Sequence, residues 1–263
     1  MKRTLEKLED IEKNGFQIDF GNVFNHAFEN YKKIALYAGL VLFIFIVLFI
    51  VVATVSLVSI LGIAQMTEEL TPEKLQNLSE ENLLIIGAIM TIVSSLLSPF
   101  QASFLKMAHH GDRDENFPVS SLFSYYKYPY SKEIILATFL ILTASYIQSN
   151  LFVHFKFEFT GSIISYFISF ITILTIPLIV FGKLGAIDAI KHSIKIVFKQ
   201  PFVLLALMIV AVIGSFVGFI GCCIGIFFTM PFLYSMNYAI YSAIVGIDDS
   251  EENAKTQHND LNY

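Results

Sequence analysis

Histidines and acidic residues form the first group of side chains in this chain that could do chemistry. The stretch AHHGDRDE at residues 108–115 combines imidazole and carboxylate groups, which are good ligands for divalent metals. Adjacent histidines point apart on a helix, however, and this stretch is typical of a charged loop. The six histidines are also scattered over separate polar segments: His26, His109, His110, His154, His192 and His258. We therefore predict no metal-binding residue.

A pair of adjacent cysteines forms the second group. Cys222 and Cys223 lie in GFIGCCIGIF, a predicted tight turn, and neighbouring cysteines cannot build a disulfide framework. A redox or acylated pair stays open as the alternative. The sequence has no catalytic triad, paired carboxylates, phosphate-binding loop or dinucleotide fingerprint. We therefore predict no catalytic residue and no cofactor, and we expect a protein that is not an enzyme and does not bind nucleic acid.

Polar side chains inside long apolar runs form the third group, above all Gln101 and Asn237. A polar group in apolar surroundings is costly unless it has a hydrogen-bond partner. Two interpretations stay open: these side chains bond between neighbouring helices, or they line a narrow polar cleft. Under the second interpretation, we expect Gln101 and Asn237 to line a cavity.

Six apolar runs must position these groups. Of the 263 residues, 55% are apolar and 15% are charged, whereas a soluble domain has roughly 25% charged residues. A run of about 20 apolar residues matches the hydrocarbon core of a bilayer. The sequence therefore predicts an all-α fold, a polytopic membrane bundle of six transmembrane helices, with runs at about residues 34–64, 83–105, 134–154, 161–182, 202–222 and 224–246.

The positions of lysine and arginine predict the orientation of this bundle. With the N-terminus inside the cell, 15 of the 17 basic residues lie in cytoplasmic segments, and only Lys74 and Lys156 lie outside. This asymmetry follows the positive-inside rule and predicts that both termini are cytoplasmic. We expect a cytoplasmic segment at 1–18, a membrane domain at 19–247, and an acidic, disordered cytoplasmic tail at 248–263.

Basic amphipathic segments precede three of the apolar runs, near residues 24–34, 120–127 and 184–200. Each places apolar residues at helical spacing opposite polar ones, which is typical of a helix that lies in a membrane interface. Phe123, Tyr126 and Lys127 of the second align with Phe28, Tyr31 and Lys32 of the first. We expect the lysines of these segments to contact anionic lipid headgroups: Lys32, Lys33, Lys127, Lys191, Lys195 and Lys199.

A proline lies within each even-numbered run, at Pro99, Pro177 and Pro231, and none lies within an odd-numbered one. Proline removes one backbone hydrogen bond and clashes with the carbonyl four residues earlier. Each proline therefore predicts a helix kink that faces other helices. With the basic segments, the prolines predict three repeats of interfacial helix, straight span and kinked span, in units at about 20–106, 117–182 and 185–247.

Three segments carry a recognisable pattern of helix ends and proline placement: FNHAFENYKKIALY, IPLIVFGKLGAIDAIKHSIKIVFKQPFVLL and IGIFFTMPFLYSMNYAIYSAIV. In these segments the chain resembles a bacterial family of six-helix integral membrane proteins. That family includes the membrane domain found ahead of some glycerophosphodiester phosphodiesterases, and stand-alone relatives. The resemblance covers about residues 20–245 and implies a location in the bacterial inner (plasma) membrane. It implies no phosphodiesterase activity, because the sequence has no counterpart of that catalytic domain.

Two functions are consistent with these observations. The first is a non-enzymatic membrane protein that acts in membrane organisation, lipid interaction or assembly, with anionic lipid headgroups and an unidentified membrane protein as partners. The alternative is a transporter or lipid-handling permease with a cavity between proline-kinked helices. A polar cavity at Gln101 and Asn237 would favour the alternative, whereas a closed apolar bundle would favour the first.

Overall fold

The computed structural model describes residues 2–69, 80–221 and 224–247, so Cys222, Cys223 and the predicted tail at 248–263 lie outside it. The described regular elements are all helical, which confirms the all-α prediction. In chain order they are α1 (Lys2–Asn14), α2 (Phe20–Glu69), α3 (Glu80–Asp112), a 3-10 helix (Val119–Tyr126), α4 (Tyr130–His154), α5 (Glu158–Ile171), α6 (Thr175–Val180), α7 (Ala186–Lys199), α8 (Pro201–Phe216), a second 3-10 helix (Val217–Gly221), α9 (Gly225–Thr229) and α10 (Pro231–Ile244).

Within the described ranges, five segments are long and apolar enough to cross a membrane. Large apolar side chains on their surfaces are exposed, for example Leu48, Ile85 and Ile147, each more than half exposed. Water would oppose such exposure, whereas lipid chains solvate it. The chain is therefore an integral membrane protein with spans at Phe20–Val51, Leu83–Asp112, Tyr130–His154, Phe159–Val180 and Pro201–Ile220.

The sixth predicted run, 224–246, is divided into α9 and α10. Pro231 is the first residue of α10, where its missing N–H is tolerated because the first turn of a helix has no internal acceptor for it. The 14 residues of α10 extend about 21 Å, which is shorter than the hydrocarbon core of about 30 Å. This run is therefore a broken segment and not one continuous helix.

The centre of the protein is α10, which packs against α2, α3, α6 and α8. Its buried side chains come from every face of the helix, as expected for an element surrounded by others. They are Pro231, Phe232, Ser235, Met236, Tyr238, Ala239, Ile240, Tyr241 and Ile244.

The three basic amphipathic segments differ from one another in the structure. The first is continuous with its span in α2, since no proline interrupts the chain between Phe20 and Glu69. The second is a 3-10 helix between Pro118 and Pro129, where an α-helix was predicted. The third is the separate helix α7, which ends at Lys199 because the residue before Pro201 is disfavoured in the helical conformation.

Helix α7 stabilises an interruption in the fourth span. Helix α5 ends at Ile171 and α6 begins at Thr175. The buried Ser193 hydroxyl of α7 accepts a hydrogen bond from the Leu174 N–H at 3.1 Å and donates one to the Ile171 carbonyl at 3.0 Å. These are backbone groups that the interrupted helix leaves without a partner, so one serine satisfies both sides of the break.

We predict that Ser193→Ala lowers the unfolding temperature of the detergent-solubilised protein. The substitution leaves the Leu174 N–H and the Ile171 carbonyl without this partner, and a buried group left unpaired costs about 1–3 kcal/mol. The matched control is Ser94→Ala, which removes an exposed hydroxyl from α3. Equal unfolding temperatures for the two variants would contradict the role assigned to Ser193.

The N-terminal segment, which the sequence marked only as cytoplasmic, forms the amphipathic helix α1. Leu8 and Ile11 are each only 1% exposed, and α1 contacts α7. The two residues are three apart and therefore share one face of the helix. This apolar face anchors α1 to the rest of the protein.

Candidate functional site

A cavity of about 340 Å³ lies between α3, α4, α10 and the broken fourth span. Gln101 and Asn237 both line it, so the fold brings together the two side chains that the sequence analysis singled out as cavity-lining. The described residues that line it are Ser98, Gln101, Ala102, Leu105, Thr138, Ile141, Leu142, Ser169, Thr172, Ile173, Thr175, Ile176, Pro177, Tyr234 and Asn237.

Helical spacing and the break before Pro177 build the walls of this cavity. Ser98 and Gln101 of α3 are three residues apart, as are Tyr234 and Asn237 of α10, so each pair lies on one face of its helix. Pro177 cannot donate a hydrogen bond to the Ile173 carbonyl, and the chain between α5 and α6 accordingly leaves the helical path. This interruption leaves backbone N–H and C=O groups of the fourth span outside a regular helix, next to the cavity.

The hydroxyl groups that line the cavity differ in their hydrogen bonding. Ser98 Oγ donates to the Ser95 carbonyl at 2.6 Å, and Thr172 Oγ1 donates to the Ile168 carbonyl at 2.7 Å. By contrast, Thr175 Oγ1 and Asn237 Oδ1 are buried and have no hydrogen-bond partner in the part of the chain that is described. A buried polar group without a partner costs about 1–3 kcal/mol, and a ligand that bonds to both atoms would recover this cost.

Among the described residues, none that lines the cavity is an aspartate, glutamate, lysine, arginine or histidine. A charged group placed in such a site would lose its hydration without gaining a counter-charge, which is strongly unfavourable. Amide and hydroxyl groups, on the other hand, match alcohol, ether and amide groups as hydrogen-bond partners. The site is therefore chemically suited to an uncharged, hydrogen-bonding group.

Three threonines of the cavity were not singled out from the sequence: Thr138, Thr172 and Thr175. Threonine in a membrane helix commonly bonds to the carbonyl of its own preceding turn, as Thr172 does. Composition therefore does not separate a threonine that faces a cavity from one that is satisfied within its helix. The available signal was the position of Thr172 and Thr175 just before Pro177, where the regular carbonyl acceptors are disturbed.

The three prolines are all buried, but they differ in their effect on the helices. Pro231 begins α10, and Pro177 is the third residue of α6, so both lie next to helix breaks. Pro99 lies within α3, which continues from Glu80 to Asp112 as one helix. Of the three, Pro177 is the one that lines the cavity.

Four of the six lysines predicted to contact anionic lipid bind acceptors in the chain itself. The Nζ distances are 2.8 Å from Lys195 to Glu12 Oε2, 2.7 Å from Lys199 to the Glu12 carbonyl, 2.7 Å from Lys33 to Asp114 Oδ1 and 2.6 Å from Lys32 to Glu29 Oε1. Lys127 and Lys191 are exposed. Much of the basic surface expected to bind lipid is thus neutralised by acidic residues of the protein.

We predict that acidification weakens the docking of α1 on α7. The Lys195 ammonium, which donates hydrogen bonds to the Glu12 carboxylate, lowers the pKa of Glu12 below its ordinary value of 4.5. A depressed carboxyl pKa contributes stability above the ordinary value, and this contribution is lost as the pH falls through the lowered pKa. Hydrogen exchange of the α1 amides should therefore accelerate as the pH falls below about 4.5, after correction for the intrinsic exchange rate.

Glu12→Gln tests this assignment directly. In this variant, the amide hydrogens of α1 should exchange faster at neutral pH, and their exchange should no longer accelerate as the pH falls below about 4.5. Glu9→Gln is the matched control, because Glu9 is exposed and lies on the same helix. An acid-dependent step of full size in Glu12→Gln would mean that another group controls the docking.

A second polar cluster joins α2, α3 and α10. His26 Nε2 lies 2.8 Å from Asp112 Oδ1, the Tyr238 hydroxyl donates to Asp112 Oδ2 at 3.0 Å, and His109 Nδ1 lies 3.2 Å from the Tyr238 oxygen. The expectation that the stretch at 108–115 is a charged loop is wrong for its first half, because α3 continues as a helix through Asp112 and brings His109 to Tyr238 of α10. Within the described ranges, no three His, Cys, Asp or Glu side chains form a group that could hold a metal ion.

Comparisons with protein-family models, curated proteins and solved structures find no match to this chain. A functional assignment therefore depends on the chemistry of its own residues. The cavity at Gln101 and Asn237 combines a partly open volume, polar atoms without a partner among the described residues, and a position within the spans.

Proposed function

We propose that this chain is a non-enzymatic integral membrane protein that binds an uncharged polar group in the cavity, as a transporter or lipid-handling permease. The observation that carries the proposal is the meeting of Gln101, Thr175 and Asn237 at one cavity, with the Thr175 hydroxyl and the Asn237 carbonyl oxygen unpaired. A polar cavity at these residues supports this role over a purely organisational one.

The volume of the cavity and its unpaired atoms support binding over simple packing. Ligand pockets in proteins have volumes of about 300–1,000 Å³, and this cavity has about 340 Å³. Polar side chains that serve only to join membrane helices are expected to bond across the interface. Thr175 Oγ1 and Asn237 Oδ1 make no such bond to any residue that the structure describes.

The two broken spans also support a role in binding. Discontinuous membrane helices form the substrate sites of many transporters, because an interrupted helix presents polar backbone groups within the bilayer. Here the α5–α6 break adjoins the cavity, and α10, which begins just after the α9–α10 break, contributes Tyr234 and Asn237 to it. We propose that α9 and α10 together form the sixth span, within the threefold repeat that the prolines and basic segments predict.

The expected topology places the cavity near the cytoplasmic leaflet of the bacterial inner membrane. Gln101 precedes Lys106 by five residues, or about 7.5 Å along the helix. Basic residues mark the cytoplasmic side, and both termini belong to that side in the proposed topology. The ligand would therefore enter from the cytoplasm or from the inner half of the bilayer.

A second candidate role is binding of anionic lipid or a membrane partner by α7. Ile187 and Phe198 are each 56% exposed, and Lys191 is exposed on the same helix. Exposed apolar side chains beside an exposed lysine are typical of a helix at a membrane interface. The pairing of Lys195 and Lys199 with Glu12 reduces this surface, so we rank it second.

Ligand-dependent unfolding of the purified protein tests the proposal. A ligand that binds the native state raises the unfolding temperature by mass action. Glycerol, as an uncharged probe at millimolar concentration, should raise the unfolding temperature of the wild type more than that of Asn237→Leu, and glycerol 3-phosphate should have no such effect. Equal glycerol shifts in the two proteins, or a larger shift with the phosphate, would contradict an uncharged-ligand site.

A further inference from the structure

An apolar groove of about 320 Å³ lies between α5 and α8, beside the cavity. Its lining is dominated by aliphatic and aromatic side chains, among them Phe170, Ile173, Leu205, Ile209 and Ile213. The residues from Leu205 to Ile213 cover eight steps of α8, or about 12 Å along its axis. The groove therefore has the elongated, apolar character that suits a hydrocarbon chain.

The polar cavity and the apolar groove adjoin at α5. Ser169, near the end of α5, and Ile173, in the break that follows α5, line both spaces. A single molecule that passes these two side chains would therefore occupy both spaces. Its polar part would meet Thr175 and Asn237, and its apolar part would lie along α8.

The absence of charge from both linings restricts the occupant. In the part of the chain that the structure describes, no aspartate, glutamate, lysine, arginine or histidine side chain lines either space. A phosphate headgroup would normally be recognised by arginine, lysine or a cluster of donors, and here it would be desolvated without a counter-charge. A water-soluble polyol would match the cavity but would leave the groove unused.

We infer that the ligand is a neutral lipid with a hydroxylated head, such as an acylglycerol, whose head binds in the cavity and whose acyl chain lies in the groove. The inference rests on the proposed function and specifies its ligand class. Hydroxyl groups of the head bond to Asn237 Oδ1 and Thr175 Oγ1, and the chain is buried between α5 and α8. Lateral entry from the bilayer is expected, because Ile209 and Ile213 are 49% and 61% exposed.

Tryptophan fluorescence offers a direct test, since the chain contains no tryptophan. Phe170→Trp places a reporter in the groove. Phe139→Trp is the matched control, because Phe139 is exposed on α4 and lines neither space. The probes are bromoacyl monoacylglycerol and bromoacyl phosphatidylglycerol, each at the same low fraction in phosphatidylcholine nanodiscs.

The neutral bromolipid should quench the Phe170→Trp reporter severalfold more than the control reporter, whereas the anionic bromolipid should quench both alike. Asn237→Leu in the Phe170→Trp background should remove the preference. Equal quenching of both reporters by the neutral lipid would overturn the inference. If glycerol still stabilises the wild type in that case, the uncharged-ligand cavity stands and only the lipid assignment falls; if it does not, both fall.

Discussion

Asn237→Leu is expected to leave the protein at least as stable as the wild type while it weakens ligand binding about 5- to 150-fold, which corresponds to 1–3 kcal/mol. Asn237 Oδ1 is buried and has no partner in the described part of the chain, so leucine of similar volume removes a polar group whose burial is unfavourable. The ligand-free state therefore loses no interaction of that oxygen. The complex, by contrast, loses a hydrogen bond to the ligand.

Two measurements on the same variant separate these effects. The unfolding temperature without ligand should be unchanged or higher, and the lipid-dependent quenching at Phe170→Trp should be lost. Asn150→Leu is the matched control, since Asn150 Nδ2 bonds to the Tyr146 carbonyl within α4, and Asn150 does not line the cavity. A clear fall in the ligand-free stability of Asn237→Leu would show that Asn237 is a structural residue.

Asn30→Leu should have the opposite effect, a large loss of stability. Asn30 is 1% exposed; its amide nitrogen donates to the Ala108 carbonyl at 2.6 Å, and its oxygen accepts from the Ser235 hydroxyl at 2.8 Å. One side chain thus ties α2 to α3 and to α10. Leucine leaves both partners buried without this bond, at about 1–3 kcal/mol for each group.

The measurement is the unfolding temperature and the folded yield after extraction in detergent. Asn30→Leu should fall well below wild type in both, and Asn237→Leu should not. Because the two substitutions are chemically identical and both positions lie in helices that meet at the centre of the protein, each serves as the control for the other. Similar losses in both variants would mean that side-chain volume, and not hydrogen bonding, determines the result.

The contrast between these two asparagines also shows which functional and structural residues can be predicted from the sequence. Gln101 and Asn237 stood out because an amide in a long apolar run is costly, and the fold places both at one cavity. Asn30 did not stand out, because it lies in a segment with many polar neighbours. Its partners, Ala108 and Ser235, are 78 and 205 residues away along the chain, and no local pattern reports contacts at such separations.

Periodicity predicted which segments are helices better than it predicted where they break. The fourth and sixth runs each contain a proline, yet so does α3, which continues through Pro99. The fourth span is interrupted where Ser193 of α7 can satisfy the freed backbone groups. A proline leads to a helix break only where another group can form hydrogen bonds with the freed backbone atoms, and that group belongs to another part of the chain.

The lysines show that ion pairs between distant parts of the chain also cannot be predicted from local sequence. Their positions predicted a basic surface, but the acidic partners of Lys195 and Lys33 come from α1 and from residues beyond α3. A charge count along the sequence does not show which pairs meet. The prediction of lipid contacts therefore applies best to Lys127 and Lys191, which are exposed.

The most direct test of a neutral-ligand cavity is mass spectrometry of the lipids that co-purify with the protein from its native membrane. Wild type and Asn237→Leu are extracted in parallel, and each lipid class is quantified relative to the bulk membrane. The wild type should be enriched in one uncharged, hydroxylated lipid class, and that enrichment should disappear in Asn237→Leu. Identical lipid profiles for the two proteins, or enrichment of anionic lipid alone, would contradict the account.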